Sequence, residues 1–211
     1  MIKHPGKSPV RTELSVMSRR SVIIGLPLLA AGCVTSNYGS ISDGGHTINA
    51  VDMTSLDSGL MRTEVAWSGK EKPGSIFVNV PQRRLYLIQA GGRALRYGVG
   101  VGRAEGVTFR GTATVGRKEK WPHWTPTANM MAAIPMYRSY SGGMPGGPSN
   151  PLGPRALYLY RGGKDTLFRL HGTTEPETIG TAVSSGCIRL FNQDIIDLYD
   201  RVPIGTQVTV V

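Results

Sequence analysis

Short runs of alternating apolar and polar positions dominate the chain from Pro73 onward. Ile76-Phe77-Val78-Asn79-Val80, a Pro81-Gln82 turn and Arg84-Leu85-Tyr86-Leu87-Ile88 predict a β-hairpin, because alternation at period two marks a half-buried strand. Leu95 to Val101, Gly111 to Val115, Ala156 to Tyr160 and Thr166 to His171 predict further strands, and Gln207 to Val211 a closing one. Gly and Pro punctuate these segments at the spacing of a β-sandwich or barrel. The helical period is convincing once. Ile195, Ile196, Leu198, Tyr199 and Val202 supply an apolar face, Asn192 stands at the cap position, Asp194 lies in the first turn, and Pro203-Ile204-Gly205 stops the helix. Two long connections remain, Gly116 to Arg138 and Ser141 to Pro154, the second with nine Gly and Pro among fourteen residues. Loops of that length without structure of their own are usually functional lids or disordered segments.

The pattern changes upstream. An apolar run from Val22 to Gly32 is too short to span a bilayer as a helix but fits the core of a signal peptide, and Lys3, Lys7, Arg11, Arg19 and Arg20 precede it. Arg19-Arg20 is a twin arginine of the kind that directs export, and Met17 is an alternative start. Leu29-Ala30-Ala31-Gly32-Cys33 is similar to a bacterial lipoprotein cleavage box, which would make Cys33 a lipidated first residue and place the protein in the periplasm on a membrane anchor. An ordinary cleaved signal is the alternative. Residues 34–72 are rich in Ser, Gly, Thr and Asp and predict a flexible tether, with His46 solvated and without a partner. Residues 73–211 then form one domain.

Net charge narrows the partners. Of the formal +10, the first 33 residues hold five Lys/Arg and one acid, leaving the remainder near +6. That excess is dispersed, without a basic helix, recognition helix or zinc-finger spacing, so nucleic acid is excluded in favour of an anionic envelope polymer or lipid head groups. No motif calls for a metal or another cofactor, and His123 lacks ligand company.

Cysteine usage points to chemistry. With Cys33 removed or acylated, Cys187 is the only thiol left and no intramolecular disulfide can form. A free thiol in an oxidising compartment is a liability. Ser184-Ser185-Gly186-Cys187 predicts a turn that exposes the thiol and successive N–H groups, and His171 can return to it across one loop as a base. A small buried hydrophobe remains the other reading of Cys187, and a satisfied strand-end histidine that of His171.

The segment from His171-Gly172-Thr173 to Gly186-Cys187-Ile188-Arg189-Leu190-Phe191-Asn192-Gln193-Asp194 resembles the active-site signature of the L,D-transpeptidases, the YkuD-type catalytic domain. The resemblance continues through Trp121-Pro122, Trp124-Thr125-Pro126-Thr127, Asn150-Pro151-Leu152-Gly153 and Arg155-Ala156-Leu157-Tyr158-Leu159, and it covers residues 73–211. It departs from the family's Ser/Thr-His-Gly-Cys in having Ser185 where a second histidine is usual. It implies a mainly β, transpeptidase-like sandwich or barrel with long active-site loops and one short helix after the catalytic cysteine. It further implies Cys187 as nucleophile, His171 as base and acid, and the N–H groups of Gly186 and Cys187 in an oxyanion hole. Arg189, Ser185, Gly172, Asn150 and Gly153 would contact substrate, although Asn150 and Gly153 also suit a simple turn. The implied substrate is a peptidoglycan stem peptide, attacked with release of D-alanine and passed to an amine of another stem or of an envelope protein. Water as acceptor (an L,D-carboxypeptidase) and a non-catalytic peptidoglycan-binding lipoprotein are the alternatives.

Overall fold

The computed structural model describes residues 38–103 and 108–211, together with Met1. The signal region, the twin arginine and Cys33 lie outside the described residues. In chain order the elements are β1 (Ile41–Asp43), β2 (His46–Ile48), β3 (Thr63–Ala66), β4 (Ile76–Asn79), β5 (Arg84–Gln89), β6 (Arg93–Gly98), β7 (Val101–Gly102), β8 (Gly111–Lys120), α1 (Ala128–Ala133), β9 (Arg155–Arg161), β10 (Lys164–His171), β11 (Ala182–Ser184), β12 (Ile188–Arg189), α2 (Asn192–Arg201) and β13 (Gln207–Val210). Nine strands form one sheet in the order β12-β10-β9-β8-β13-β4-β5-β6-β3. β1 pairs with β2, and β7 with β11, outside it.

The predicted hairpin is β4 and β5, in register from Ile76 opposite Leu87 to Asn79 opposite Arg84. Alternation sends Ile76, Val78, Leu85 and Leu87 inward. Leu170 and Ile188, from the other end of the sheet, join the same core cluster as Leu85 and Tyr97. A flat sheet of nine strands could not bring its ends into one core, so this sheet curls. The curl closes where Gly100, just after β6, exchanges both backbone hydrogen bonds with Arg189 of β12, each 2.9 Å long. The β7–β11 pair stitches the segment before Cys187 to the same seam. The fold is mainly β, as expected.

Three local readings are corrected. The strand that starts at Gly111 runs on to Lys120 rather than stopping at Val115, because Gly116 forms a bulge in β8 and not a break. The loop that follows carries α1 and a 3-10 turn at Pro135–Tyr140. Asn192 is not the cap of α2; that position is Phe191, with no side-chain hydrogen bond. The Asn192 amide instead accepts from the Thr173 N–H and donates to the Thr173 carbonyl, both at 2.9 Å.

The flexible-tether reading of 34–72 is overturned over its described part. β3 extends the sheet by pairing with β6. Tyr38 and Leu60 are each 5 % exposed and Ile48 4 %, and the Tyr38 ring meets Phe191 edge-on at 5.4 Å. Polar pins complete the strap. Arg155, itself buried, clasps Asp43 through both oxygens at 2.7 and 2.8 Å, and Trp121 Nε1 donates to Asp43 at 2.8 Å. Tyr38 Oη reaches Asp194 at 3.1 Å, and Arg62 lies 3.1 Å from Asp197. His46 is not solvated alone; its ring sits 4.5 Å from that of Trp121.

Candidate active site

Two adjacent parallel strands build the centre of the site. β10 and β12 pair with Leu170 opposite Ile188 and His171 opposite Arg189. Leu170 and Ile188 are fully buried in the core. Successive side chains of a strand point to opposite faces, so His171 and Arg189 emerge on the face away from the core, with Arg169 two positions earlier on the same strand. The chain enters β12 at Cys187. One cavity of about 530 Å³ is lined by Cys187, His171, Arg169, Arg189, Ser184 and Ser185, and across it by His123, Trp124 and Tyr137 from the long loop.

His171 is 5 % exposed, and its Nδ1 lies 2.7 Å from the Gly172 carbonyl. That contact requires the proton on Nδ1 and leaves Nε2 with its lone pair. Burial, reinforced by the charges of Arg189 and then Arg169, lowers the imidazole to about 3, with the Gly172 carbonyl pulling the other way. Cys187 is half-buried, with Sγ 3.9 Å from the Leu167 carbonyl. Burial pushes its thiol up, opposed by a backbone contact from Arg169 and by the charges of Arg169 and Arg189. The resting site therefore holds a neutral imidazole and a neutral thiol. Such a pair works by proton transfer during attack, not as a standing ion pair.

The turn before Cys187 is closed by Ser184. Its buried hydroxyl donates to the Cys187 carbonyl at 2.7 Å and accepts from the Gly186 N–H at 3.1 Å. This corrects the role expected of Gly186: its N–H is already engaged in the turn and is not a free oxyanion donor. The Cys187 N–H makes no hydrogen bond among the described residues and is the donor left for that purpose.

The expected substrate contacts divide. Ser185 and Arg189 line the cavity. Ser185 is exposed, and its hydroxyl meets Arg103 at 3.4 Å. Arg189 donates from Nη1 to Glu175 at 2.7 Å. Asn150 is corrected to a structural role. It is fully buried, its amide donates to the carbonyls of Pro122, Met144 and Pro145, and its oxygen accepts from the Leu152 N–H. Gly153 and Gly172 are likewise structural. A Cβ on either would fall 2.6 or 2.3 Å from the Asn192 amide oxygen, so both are small because the chain packs there. Neither lines the cavity that holds Cys187. Arg117, Tyr158 and Arg169 do line it, and the pattern of the sequence did not mark them as site residues. Among the described residues no cluster of three or more His, Cys, Asp or Glu is placed to hold a metal ion.

A family model described as the L,D-transpeptidase catalytic domain, YkuD, matches residues 73–210. The chain is 40 % identical over 139 residues to the probable L,D-transpeptidase ErfK/SrfK of Escherichia coli K12, covering 64 % of this chain and 43 % of that one. It is 38 % identical over 139 residues to the probable L,D-transpeptidase YbiS of the same organism, covering 63 % and 43 %. It thus spans less than half the length of these relatives. A solved structure from Brucella melitensis, described as a probable carnitine operon oxidoreductase, is 45 % identical with a TM-score of 0.51, covering 76 % of this chain and 99 % of that one.

Proposed function

The chain belongs to the YkuD-type L,D-transpeptidase catalytic-domain family, and on that premise we propose that it transfers peptidoglycan stem peptides through a thioester on Cys187. The observation that carries this reading is the placement of Cys187 and a neutral, Nδ1-protonated His171 on one cavity. His171 Nε2 takes the thiol proton as Sγ attacks the carbonyl joining the third stem residue to the terminal D-alanine. The Cys187 N–H faces the oxygen that becomes negative. A donor of that kind typically contributes about 2.7–4 kcal/mol to the transition state. The C–N bond breaks, His171 returns its proton to the departing amine, and D-alanine leaves. An amine of a second stem then attacks the thioester, restoring the thiol and forming a 3→3 cross-link. An amine of an envelope protein can serve in its place. Export and lipidation at Cys33 complete the proposal, with the enzyme working in the periplasm at a membrane.

Mass spectrometry of the chain incubated with disaccharide-tetrapeptides tests it. The expected result is a thioester adduct on Cys187 and cross-linked dimers, both absent from Cys187→Ala, which keeps the wild-type melting temperature. Tripeptide without dimers would make water the acceptor. No adduct at all would overturn the reading.

A further inference from the structure

Tyr158 is the middle of a cross-strand row that two separate irregularities assemble. In β8 the register jumps between Val115 and Arg117, which sets Arg117 opposite Tyr158 of β9. Gly116 is the extra residue, and a Cβ there would fall 2.4 Å from the Tyr160 ring. In β10 the register jumps between Asp165 and Arg169, which sets Arg169 opposite Tyr158 from the other side. The intervening Leu167 sits at φ 64° and is 67 % exposed, a backbone conformation a leucine rarely adopts. Bulges beside active sites commonly re-aim a side chain. Here both guanidiniums come to rest over the Tyr158 ring, Arg117 at 3.6 Å and Arg169 at 4.3 Å from its centroid.

Among the described residues three arginines, Arg117, Arg169 and Arg189, line the cavity, and no Asp or Glu does. Each arginine is steadied by its own carboxylate from outside the lining: Glu119 for Arg117, Asp165 for Arg169 and Glu175 for Arg189. Arg169 is largely engaged, donating twice to Asp165 and once to the Phe168 carbonyl. Arg117 uses only Nη1, so Nε and Nη2 make no other hydrogen bond among the described residues. Its orientation is fixed by Glu119, which also accepts from Tyr158 Oη at 2.7 Å.

Resting on the transpeptidase reading of this site, we infer that Arg117, carried on Tyr158 with Arg169, binds a carboxylate of the acyl donor upstream of the scissile bond, so that the enzyme prefers stems bearing free acids over amidated ones. The row fits that distance. The strands of Arg117 and Cys187 lie three spacings apart, about 14 Å between backbones. Part of that gap is covered by the arginine side chain, and an extended peptide advances about 3.3–3.6 Å per residue. A carboxylate one or two residues before the reacting carbonyl therefore comes within reach. The planar fork of an arginine, stacked on an aromatic ring, suits such a group.

The test uses the full chain carrying Cys187→Ala, so that binding is read without turnover, and two probes: a free-acid tetrapeptide and the same peptide with its side carboxylates amidated. Titration calorimetry should show the acid binding roughly tenfold more tightly, as expected for a charge-assisted contact. Adding Arg117→Gln should abolish that preference by weakening the acid alone, and Arg117→Lys should restore only part of it. Melting temperatures within a degree or two of the parent show that the variants fold. Equal affinity for the two probes, no binding of the acid, or an undiminished preference in Arg117→Gln would each overturn the inference. Binding with the expected preference but no thioester in the wild-type chain would remove the transpeptidase reading and leave the carboxylate site standing.

Discussion

The strap around Tyr38–Leu60 and the turn Ser184–Cys187 are held in opposite ways. The turn is closed from within, by one serine hydroxyl three residues from the carbonyl it binds. The strap is closed from far away: Asp43 finds Arg155 across 112 residues of chain, and Tyr38 finds Asp194 across 156. Local closure leaves a trace in a short window of sequence, and remote closure does not. That difference explains why the sequence marks the turn as a site and predicts a tether where the strap lies.

The largest effect that bears on this contrast is expected at Asp43. Arg155 is 3 % exposed at its side chain and Asp43 20 %, and the pair depresses the Asp43 carboxyl chiefly through the hydrogen bond from Arg155. Asp43→Ala leaves a buried guanidinium without its anion. Breaking a fully buried pair costs about 3–5 kcal/mol, and the partial exposure of Asp43 reduces this to about 2–3 kcal/mol. For a domain of this size the melting temperature should fall by roughly 5–10 °C. A tether would not notice the substitution, so an unchanged melting curve would reinstate the flexible reading.

Legibility followed the same rule throughout. Alternation from Ile76 to Ile88 exposed the first large hairpin, because a period of two is a local property of a half-buried strand. The strap lacks such a period: β1 and β2 have three residues each, and its buried side chains, Tyr38, Ile48 and Leu60, follow no regular spacing. Gly116 read as a stop because a glycine can end a strand as well as bulge it, and only the register across to Leu159 and Tyr158 decides between them. Asn192 has the right side chain for a cap, and only the proximity of Thr173 diverts it. Cys187 and His171 stood out through their residue types and order. Arg117, Tyr158 and Arg169 did not, since no spacing rule anticipates two bulges that converge on one tyrosine.

A second effect separates the two regions by pH. His171 belongs to the site, and Asp194 of α2 is the group that the strap's Tyr38 reaches. Burial lowers His171 to about 3, against an ordinary value of about 6.5. Between those values the unfolded chain binds a proton that the folded chain does not, so this group makes stability rise with pH from about 3 to 6.5, by up to about 1.4 kcal/mol per unit. Asp194 is raised to about 7, mainly by burial and against the charge of Arg62. Its folded form holds a proton that the unfolded form has released, so it makes stability fall as pH rises from about 4 to 7. Over pH 4 to 6.5 the two slopes oppose each other. Asp194→Asn removes the strap's slope and leaves the site's. Urea midpoints should then decline on acidification from pH 6.5 to 4 more steeply than in the wild type. Parallel curves for the two proteins would show that Asp194 titrates in the folded chain as it does in the unfolded one.

The smallest effect falls on Ser185, read beside its neighbour Ser184, and it bears on the missing histidine. Ser184 is buried and joins Gly186 N–H to the Cys187 carbonyl, whereas Ser185 is exposed and, among the described residues, its hydroxyl has one contact, at 3.4 Å with Arg103. If the residue in the histidine's place oriented the thiol, Ser185 would have to touch the turn that carries it, and its hydroxyl makes no hydrogen bond there. The contact that closes the turn is made by Ser184, which stands at the Ser/Thr of the Ser/Thr-His-Gly-Cys pattern. Ser185→Ala should therefore change kcat/KM by less than about twofold and stability by less than about 0.5 kcal/mol, as for a surface position. Ser184→Ala, by stranding a buried N–H and a carbonyl, should cost about 1–3 kcal/mol and slow thioester formation with it. Single-turnover rates for the two variants, measured beside their melting curves, decide the matter. A Ser185→Ala enzyme slowed as much as Ser184→Ala would mean that the exposed serine holds the thiol after all, and that the turn is not closed from within.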